Sequence, residues 1–435
     1  MNNNMRQKSS VLFGDSINRT IPDFTYSQGV MLPGSDDNNT NTFISLSDDI
    51  LSKHIMFLGG IGTGKTNALY HLISQIKNKM TPNDAMVVFD TKGDFYKEFY
   101  KPGDVVISND KTAIGLNGLD YWNIFNEIGD GEDLMTNVIE VSKSIFSEAC
   151  EKTNQIFFPN AAKDIFMAIL LHFFRSIAPA QRTNKNLVAF INSVPTDKIK
   201  DMLESYDDLR ALASYISNSD SPQTQGVISE LQQVTREVFI GNFAKQGTLS
   251  MRNLVKSKSA RTIFIEYDLS IGRMLSPVYS LMFDMAIKEA LSRDRTKGNV
   301  YFITDEFKLL PNLQHIDDAV NFGRSLGIKF MIGVQNVEQI YDEYGEERAR
   351  SIMSGFSTNI SFRVNDTKSR EYIQGLYGKN QKLDTYLPSM VNKGLIEIQR
   401  EANVIEDWDI SRLKVGEAII GIPEYEPFIF KFNKY

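Results

Sequence analysis

Residues 54–66 read HIMFLGGIGTGKT, and this stretch decides the fold. HIMFL is a short apolar run typical of a buried strand, and a glycine-rich turn follows it. Residues 67–77 then carry apolar side chains at helical spacing, namely Leu69, Leu72, Ile73 and Ile76. A strand, a glycine-rich loop and a helix in this order form the context in which a phosphate-binding loop occurs.

The loop itself matches the eight-position phosphate-loop pattern from Gly59 to Thr66. Glycines let backbone N–H groups converge on a β-phosphate, and the following helix directs its positive end at the same charge. We expect Lys65 to reach the β- and γ-oxygens and the Thr66 hydroxyl to bind Mg²⁺. A glycine-rich turn that binds no ligand is the alternative. The expected nucleotide-binding residues here are Gly59, Gly60, Ile61, Gly62, Thr63, Gly64, Lys65, Thr66 and Asn67.

A pair of acids supplies the second half of the expected site. The apolar run VYFIT at 300–304 leads directly into Asp305 and Glu306, which places both at the carboxyl edge of the sheet, where ligands of open α/β sheets bind. We expect Asp305 to hold the Mg²⁺, partly through water, and Glu306 to orient and deprotonate an attacking water. The alternative is an ordinary helix cap.

The acidic pair favours hydrolysis over phosphate transfer to a small molecule, because Glu306 provides a base for water. A phosphate-loop kinase is disfavoured for this reason. A GTPase would be expected to carry a guanine-reading N-K-x-D segment, and neither NKNL at 184–187 nor NKGL at 392–395 has the acid. ATP is therefore the expected nucleotide.

The rest of the chain predicts an α/β fold interrupted by helices. Apolar runs at 85–90, 104–108, 261–267, 300–307, 328–335 and 358–364 predict strands, and their alternation with helices predicts a mainly parallel sheet. EAIIGI and FIFKF near the end predict two more strands, antiparallel at an edge. The predicted segments are a partly flexible arm at 1–44, a nucleotide-binding domain at 45–128 and 258–435, and an all-helical insertion at 129–257.

Composition narrows the class of protein. The 435 residues carry 47 Lys and Arg against 54 Asp and Glu, a net charge of −7, which argues against wholesale coating of nucleic acid. The single cysteine, Cys150, excludes an internal disulfide and a cysteine-based zinc site. The first residues have no secretory signal, and no stretch reaches the roughly 18 apolar residues of a membrane span.

Several motifs together resemble the type IV coupling proteins of conjugation and secretion, the TraG/TraD type. They are HIMFLGGIGTGKT, VVFDTKGDFY at 87–96, WNIF at 122–125, the stretch from FITDEF to VQNVEQI at 302–340, and the closing LKVGEAIIGIPEYEPF. This resemblance implies a RecA-like motor domain that hydrolyses ATP with Mg²⁺ and translocates DNA. It also implies a hexameric ring around a DNA channel, in the cytoplasm at the inner face of the cell membrane.

The resemblance extends to three further site positions. Gln335 matches the γ-phosphate sensor of the family, with a polar helix cap as the alternative. Arg324 matches its candidate arginine finger, which acts on the ATP of a neighbouring subunit; Arg348 and Arg350 are alternatives, and a plain surface arginine is another. Asp90, in the DTKGD turn, belongs to the nucleotide edge in the family, although TKGD is also simply a good turn sequence.

The partners expected from the resemblance are DNA, with little sequence specificity, and relaxosome or secretion-channel proteins. Members of the family usually begin with membrane-spanning helices, so this chain is expected to reach a membrane only through a partner or a separate anchor. Short basic runs at Lys256, Lys258 and Arg261 and at Arg293, Arg295 and Lys297 are candidates for gripping phosphates, or ordinary solvated faces. Two other functions remain open: a soluble ring ATPase for DNA processing or defence, and a protein-secretion adaptor with weak ATPase activity.

Overall fold

The computed structural model describes residues 8–24, 29–109, 120–386 and 396–435, so NKGL at 392–395 lies outside the described residues. The chain divides into two compact units. The first unit is Met1–Lys79, Thr304–Lys308 and Lys329–Tyr435, and the second is Met80–Ile303 and Leu309–Ile328. The segment boundaries predicted at 44/45, 128/129 and 257/258 do not coincide with this division, and the four-segment organisation stays a prediction.

The strands are β1 (Lys8–Phe13), β2 (Val30–Ser35), β3 (Asn41–Leu46), β4 (Ile55–Leu58), β5 (Ala85–Asp90), β6 (Val105–Ile107), β7 (Arg261–Glu266), β8 (Val300–Thr304), β9 (Ile328–Val334), β10 (Thr358–Phe362), β11 (Lys379–Tyr386), β12 (Ile396–Asn403), β13 (Glu417–Gly421) and β14 (Phe428–Phe432). The α-helices are α1 (Asp48–Ser52), α2 (Lys65–Lys79), α3 (Asp94–Phe99), α4 (Ile124–Ile128), α5 (Leu134–Glu151), α6 (Phe157–Ser176), α7 (Asn184–Ser193), α8 (Thr196–Glu204), α9 (Pro222–Val238), α10 (Met251–Ser257), α11 (Gly272–Leu291), α12 (Ile316–Phe322), α13 (Val337–Tyr344), α14 (Glu346–Ser354), α15 (Thr367–Tyr377) and α16 (Asp407–Ser411). Short 3-10 helices occupy Pro179–Gln181, Arg210–Ile216, Gly241–Ala244, Phe307–Leu309 and Gly323–Leu326.

The first unit carries the strands that surround the phosphate loop. Their order is β3-β2-β14-β13-β10-β4-β9. β4 pairs in parallel with both β9 and β10, whereas β13, β14, β2 and β3 extend this sheet by antiparallel pairing. The prediction that β13 and β14 are antiparallel is confirmed, but their placement at an edge is wrong, because β2 pairs with the free side of β14.

The amino-terminal segment, predicted to be a partly flexible arm, contains β1, β2 and most of β3, and its partial flexibility stays a prediction. β2 and β3 pair along their whole length, and β1 joins β11 and β12 in a separate three-stranded antiparallel sheet. Residues 35–42 contain a tight turn, because one carboxylate oxygen of Asp36 accepts the backbone N–H groups of Asn38 and Thr40 at 2.9 and 2.8 Å. The Asp36 carboxylate therefore closes a turn in a stretch whose polar composition alone does not predict a defined conformation.

The second unit combines parallel strands with the predicted helical segment. Its strand order is β8-β5-β7-β6, with β5 and β6 both parallel to β7. Helices α5 to α10 occupy the region that the sequence predicted to be helical. Of the described helices, only α6 is long and apolar enough to cross a membrane, and 61% of that window is buried inside the protein, as in the core helix of a globular domain.

One buried amide organises the start of the helical segment. Asn184 has no exposed surface, and its side-chain amide donates to the carbonyl oxygens of Trp122 and Phe243 at 2.9 and 2.8 Å. Its oxygen accepts the backbone N–H of Ile124 at 2.9 Å. The NKNL segment that failed as a guanine-reading motif therefore has a structural role, which is to satisfy three buried backbone groups.

Replacing Asn184 by leucine removes all three hydrogen bonds at nearly constant volume. We expect the free energy of unfolding to fall by about 3 kcal/mol or more, because each buried group left unpaired costs about 1–3 kcal/mol. Urea denaturation followed by circular dichroism measures the change. Lys185→Leu, at the exposed neighbouring position, is the control; equal stability of the two variants would contradict the assignment.

Candidate nucleotide site

The phosphate loop leaves the sheet from the carboxyl end of β4. β4 is buried along its length, and its last residue is followed by Gly59. The backbone N–H of Gly59 donates to the carbonyl of Val334 at 3.0 Å, and that of Gly60 donates to the carbonyl of Arg363 at 2.9 Å. The loop is thus joined by hydrogen bonds to the ends of β9 and β10, the two strands that flank β4.

Two of the loop glycines are required by their surroundings. A Cβ at Gly59 would lie 2.6 Å from the Cβ of Phe362, the last residue of β10. Gly64 has a φ of +123°, and a Cβ there would lie 3.0 Å from the Cα of Gly416. The Gly416 N–H in turn donates to the carbonyl of Thr63 at 2.8 Å. The loop is therefore held between the end of β10 and the turn before β13.

Lys65 is the first residue of α2 and is only 8% exposed. Its ammonium donates to the carbonyl of Gly59 and, at 3.2 Å, to the carbonyl of Gly60, so the charge is held against the loop. Thr66 follows and is half-buried, whereas Ile61 is 85% exposed at the tip of the loop. The positive end of α2 and a lysine charge are thus concentrated beneath an open loop, the arrangement that binds phosphate.

The acidic pair lies in the same unit as the loop. A Cβ at Gly333 of β9 would come within 2.3 Å of the Asp305 carbonyl, so only glycine allows these backbones to approach. Gln335, which follows β9, donates a side-chain N–H to the Glu306 carboxylate. The ammonium of Lys308 lies 3.8 Å from the other Glu306 oxygen. Asp305 and Glu306 are both half-buried.

The electrostatics connect the acidic pair to the loop. Burial raises the pKa of the Glu306 carboxyl, and the Asp305 charge raises this pKa further. Lys308, the hydrogen bond from Gln335 and the Lys65 charge act in the opposite direction. Lys65 is therefore near enough to Glu306 to influence its ionisation. A buried carboxyl with a raised pKa beside a phosphate loop is well placed to accept a proton.

Other residues expected at the site have different surroundings. The Asn67 amide donates to the carbonyl of Asn433 at 2.8 Å, and its oxygen accepts the N–H of Tyr435 at 2.9 Å, so this side chain ties α2 to the end of the chain. Asp90, in the second unit, is buried and accepts the backbone N–H of Tyr96 at 2.9 Å. Nucleotide contacts of Asn67 and Asp90 stay predictions.

The three candidate arginine fingers are also placed. Arg324 is exposed in the 3-10 helix Gly323–Leu326 of the second unit. In the first unit, Arg348 lies over the ring of Tyr344 at 5.2 Å, and Arg350 pairs with Glu346 at 2.5 Å. These contacts do not separate the three candidates, and the role of Arg324 stays a prediction.

Arg363 is a residue that the sequence analysis missed. It follows β10 directly, its carbonyl accepts the Gly60 N–H, and its side chain is exposed. Among the described residues its guanidinium has no hydrogen-bonding or ion-pair partner. The signal was available, because a polar residue just after an apolar strand is the pattern that pointed to Asp305 and Glu306. Arg363 adds a cation at the flank of the loop.

The donors near the loop suit Mg²⁺ better than a transition metal. Within the described ranges no group of three or more His, Cys, Asp and Glu side chains comes together. His54, for example, is buried and accepts the backbone N–H of Phe330 at 3.0 Å. The predicted Mg²⁺ ligands, the Thr66 hydroxyl and the Asp305 carboxylate, are the oxygen donors that Mg²⁺ prefers, and their assignment stays a prediction.

The strand, loop, helix and acidic pair define the class of phosphate-loop nucleotide-binding proteins. Residues 40–389 match the family described as the type IV secretion-system coupling protein DNA-binding domain, and the chain belongs to this family. The coupling protein TraD of Escherichia coli (strain K12) is 23% identical over 336 residues, which are 75% of this chain and 44% of TraD. The chain therefore spans less than half the length of that relative.

Solved structures confirm the predicted fold class. The bacterial conjugative coupling protein TrwBdeltaN70, in its unbound monoclinic form, superposes with a TM-score of 0.73 at 17% identity, over 97% of this chain and 94% of that chain. The plasmid coupling protein TrwB in complex with ADP and Mg²⁺ gives a TM-score of 0.69 at 18% identity, over 90% of this chain and 88% of that chain. The mainly parallel α/β architecture is shared with both.

Proposed function

We propose that this chain is an ATP-hydrolysing motor that binds and translocates DNA in conjugative transfer or type IV secretion. The observation that carries the proposal is the buried Glu306, hydrogen-bonded by Gln335 and within electrostatic range of the phosphate-loop Lys65. Family membership supports the DNA substrate, and the ADP and Mg²⁺ bound by TrwB support the nucleotide and the metal.

We assign a task to each residue. The loop N–H groups and Lys65 bind the β- and γ-phosphates, while Thr66 and Asp305 hold the Mg²⁺. The metal, when bound, neutralises charge on the phosphate oxygens. Glu306 accepts the proton of the attacking water, since its buried carboxyl has a raised pKa. Gln335 orients the Glu306 carboxylate and is placed to sense the γ-phosphate.

Steady-state ATP hydrolysis with and without DNA tests this proposal. We expect Glu306→Gln to bind ATP yet lose at least about a hundredfold in turnover, the usual effect of losing a general base. Lys65→Ala should lose both turnover and binding. Glu338→Gln and Lys431→Ala, at exposed positions of the same unit, are the matched controls. Wild-type turnover in Glu306→Gln would exclude this base, and turnover indifferent to DNA would favour a protein-secretion adaptor.

The pH dependence of turnover tests the link between Gln335 and Glu306. Gln335→Ala removes a hydrogen bond that lowers the pKa of Glu306, so this pKa rises further. Because the base must be deprotonated to act, the acidic limb of the rate profile should move to higher pH. Lys308→Ala should shift the limb in the same direction, and Glu338→Gln should not. If Gln335→Ala lowers the maximal rate but leaves the acidic limb of the pH–rate profile at the same pH, Gln335 contacts only water or phosphate.

We place Arg324 in the ATP site of a neighbouring subunit of a ring, a hexamer when assembled. Arg324→Ala and Lys65→Ala should each be inactive alone, yet mixing them should restore turnover, because an intact loop then meets an intact arginine. Mixing Lys65→Ala with Glu306→Gln should restore nothing if both residues act in the same site. Failure of the first mixture to regain turnover would remove Arg324 from the trans role.

The remaining assignments concern the setting of the motor. We place the chain in the cytoplasm at the inner face of the cell membrane, where relaxosome or secretion-channel proteins would recruit it. The name of TraD as a coupling protein supports this location. Asn67 and Asp90 are assigned to the nucleotide edge, Asn67 because it follows the loop directly in α2 and Asp90 because it ends the parallel strand β5.

A further inference from the structure

Two basic runs that are separate in sequence meet in the second unit. The ammonium of Lys258 donates to the carbonyls of Thr296 and Lys297 at 2.9 and 2.8 Å. The Thr296 hydroxyl donates to the carbonyl of Lys256 at 3.0 Å. We call the resulting surface the basic edge, and it consists of Lys256, Lys258, Arg261, Arg293, Arg295 and Lys297.

The basic edge lies where strands of the second unit begin. β7 starts at Arg261, and β8 starts shortly after Lys297. The backbone N–H of Ser259 donates to the carbonyl of Pro82, just before β5. Because β5 and β7 are parallel and both start here, their carboxyl ends, with Asp90, are at the opposite edge.

The backbone of the basic edge is held in an uncommon conformation. Lys258, Ser259 and Ala260 have φ values of 52°, 70° and 53°, a run of three residues with positive φ that are not glycine. Such residues persist only where the surrounding structure fixes them. Lys258 is 4% exposed and its ammonium caps two carbonyls, so it fixes one basic run against the other. The cations are therefore presented by a rigid backbone.

The charge of the basic edge is not neutralised by the chain. Lys256, Arg293 and Lys297 are exposed, and among the described residues none of the three has an ion-pair partner. The nearby Asp84 accepts the backbone N–H groups of Thr81 and Asn299 at 2.8 and 2.7 Å. Three exposed cations without an ion-pair partner among the described residues thus lie in the two basic runs of a chain whose net charge is −7.

The two arginines keep donors available as well. Arg261 uses its Nε to bond the carbonyl of Gly103 at 3.1 Å, and Arg295 uses its Nε to bond the carbonyl of Leu326 at 3.4 Å. Their terminal N–H groups are not engaged by a carboxylate in the described part of the chain. Burial lowers the pKa of the Lys258 ammonium, Asp84 opposes this, and Arg295 lowers it further, in keeping with closely spaced cations.

We propose that the basic edge is a DNA-binding surface that contacts backbone phosphates and reads no bases. The inference rests on the proposed function, since it names the surface by which the motor would grip its DNA. In the described segments 256–261 and 293–297 no large apolar side chain is exposed. Membrane-binding surfaces insert such side chains between lipids, and single-strand sites stack bases on aromatic rings. A surface that offers cations without apolar or aromatic side chains is suited to contact the phosphates of a DNA backbone.

Charge reversal at the three exposed positions tests the inference. Lys256→Glu/Arg293→Glu/Lys297→Glu changes the net charge by three times −2, from −7 to −13. The matched control, Lys143→Glu/Lys185→Glu/Arg236→Glu, reverses three exposed cations of the helical segment and also gives −13. Only the first variant should bind DNA at least about tenfold more weakly. The slope of log affinity against log salt should fall by about 2–3, because about 0.7–0.9 counterions are released per phosphate contact.

Fluorescence anisotropy with labelled DNA of differing base composition measures both quantities, and thermal unfolding checks the fold. The charge-preserving Lys256→Arg/Arg293→Lys/Lys297→Arg should bind like the wild type, and base composition should have no effect. An unchanged affinity and slope in the reversed variant would overturn the inference. It would also be overturned if that variant kept its DNA affinity and lost only binding to phosphatidylglycerol vesicles, which would identify a membrane surface.

The same measurements separate this inference from the proposed function. If the wild-type chain hydrolyses ATP but binds no DNA at low salt, two claims are overturned. They are the DNA-binding role of the basic edge and the proposed translocation of DNA. A chain that hydrolyses no ATP, yet loses its DNA affinity on reversal of the basic edge, would support the inference and contradict the motor. Loss of DNA binding in the control variant to the same extent would show that net charge alone is responsible.

Discussion

The site depends on the parallel pairing of β4 with both of its neighbours. At the last step of β4, Leu58 pairs with Val334 in β9 and with Ser361 in β10. Because parallel strands that are paired in this register end together, Gly59 and Gln335 leave the sheet side by side. A slip of one residue would turn alternate side chains to the opposite face and carry Gln335 away from the acid that it bonds.

This pairing also brings a buried cation and a carboxylate close enough for the charge of Lys65 to act on Glu306. Lys65 is buried, and its ammonium donates to the carbonyls of Gly59 and Gly60. Glu306 is bonded instead by the neutral amide of Gln335, with Lys308 at the longer distance of 3.8 Å. The loop carbonyls thus hold the cation proposed for phosphate, and the Gln335 amide holds the base proposed for water.

The sequence predicted those parts of the fold whose signal is local. β4, β5 and β9 are apolar runs buried along their whole length, and such runs are visible without any partner. The sequence analysis missed β11 and β12 because their sequences, KNQKLDTY and IEIQREAN, are largely polar. The two strands are joined by a hydrogen bond of 2.7 Å from the Arg400 guanidinium to the Asp384 carboxylate. β2 contains Pro33 and Gly34, which argue against a strand, yet a Cβ at Gly34 would lie 2.2 Å from the Lys431 carbonyl, so glycine is required by a strand almost 400 residues away.

The same distinction applies to function. The phosphate loop and acidic pair are contiguous motifs, whereas the basic edge forms only when residues some 40 positions apart pack together.

The basic edge is connected to the opposite edge of the second unit by the buried strand β7. β7 runs from Arg261 to Glu266, which pairs with Asp90, and six residues span about 17 Å of buried strand. The Asp90 turn and Arg261 are therefore connected through paired strands and not through a loop.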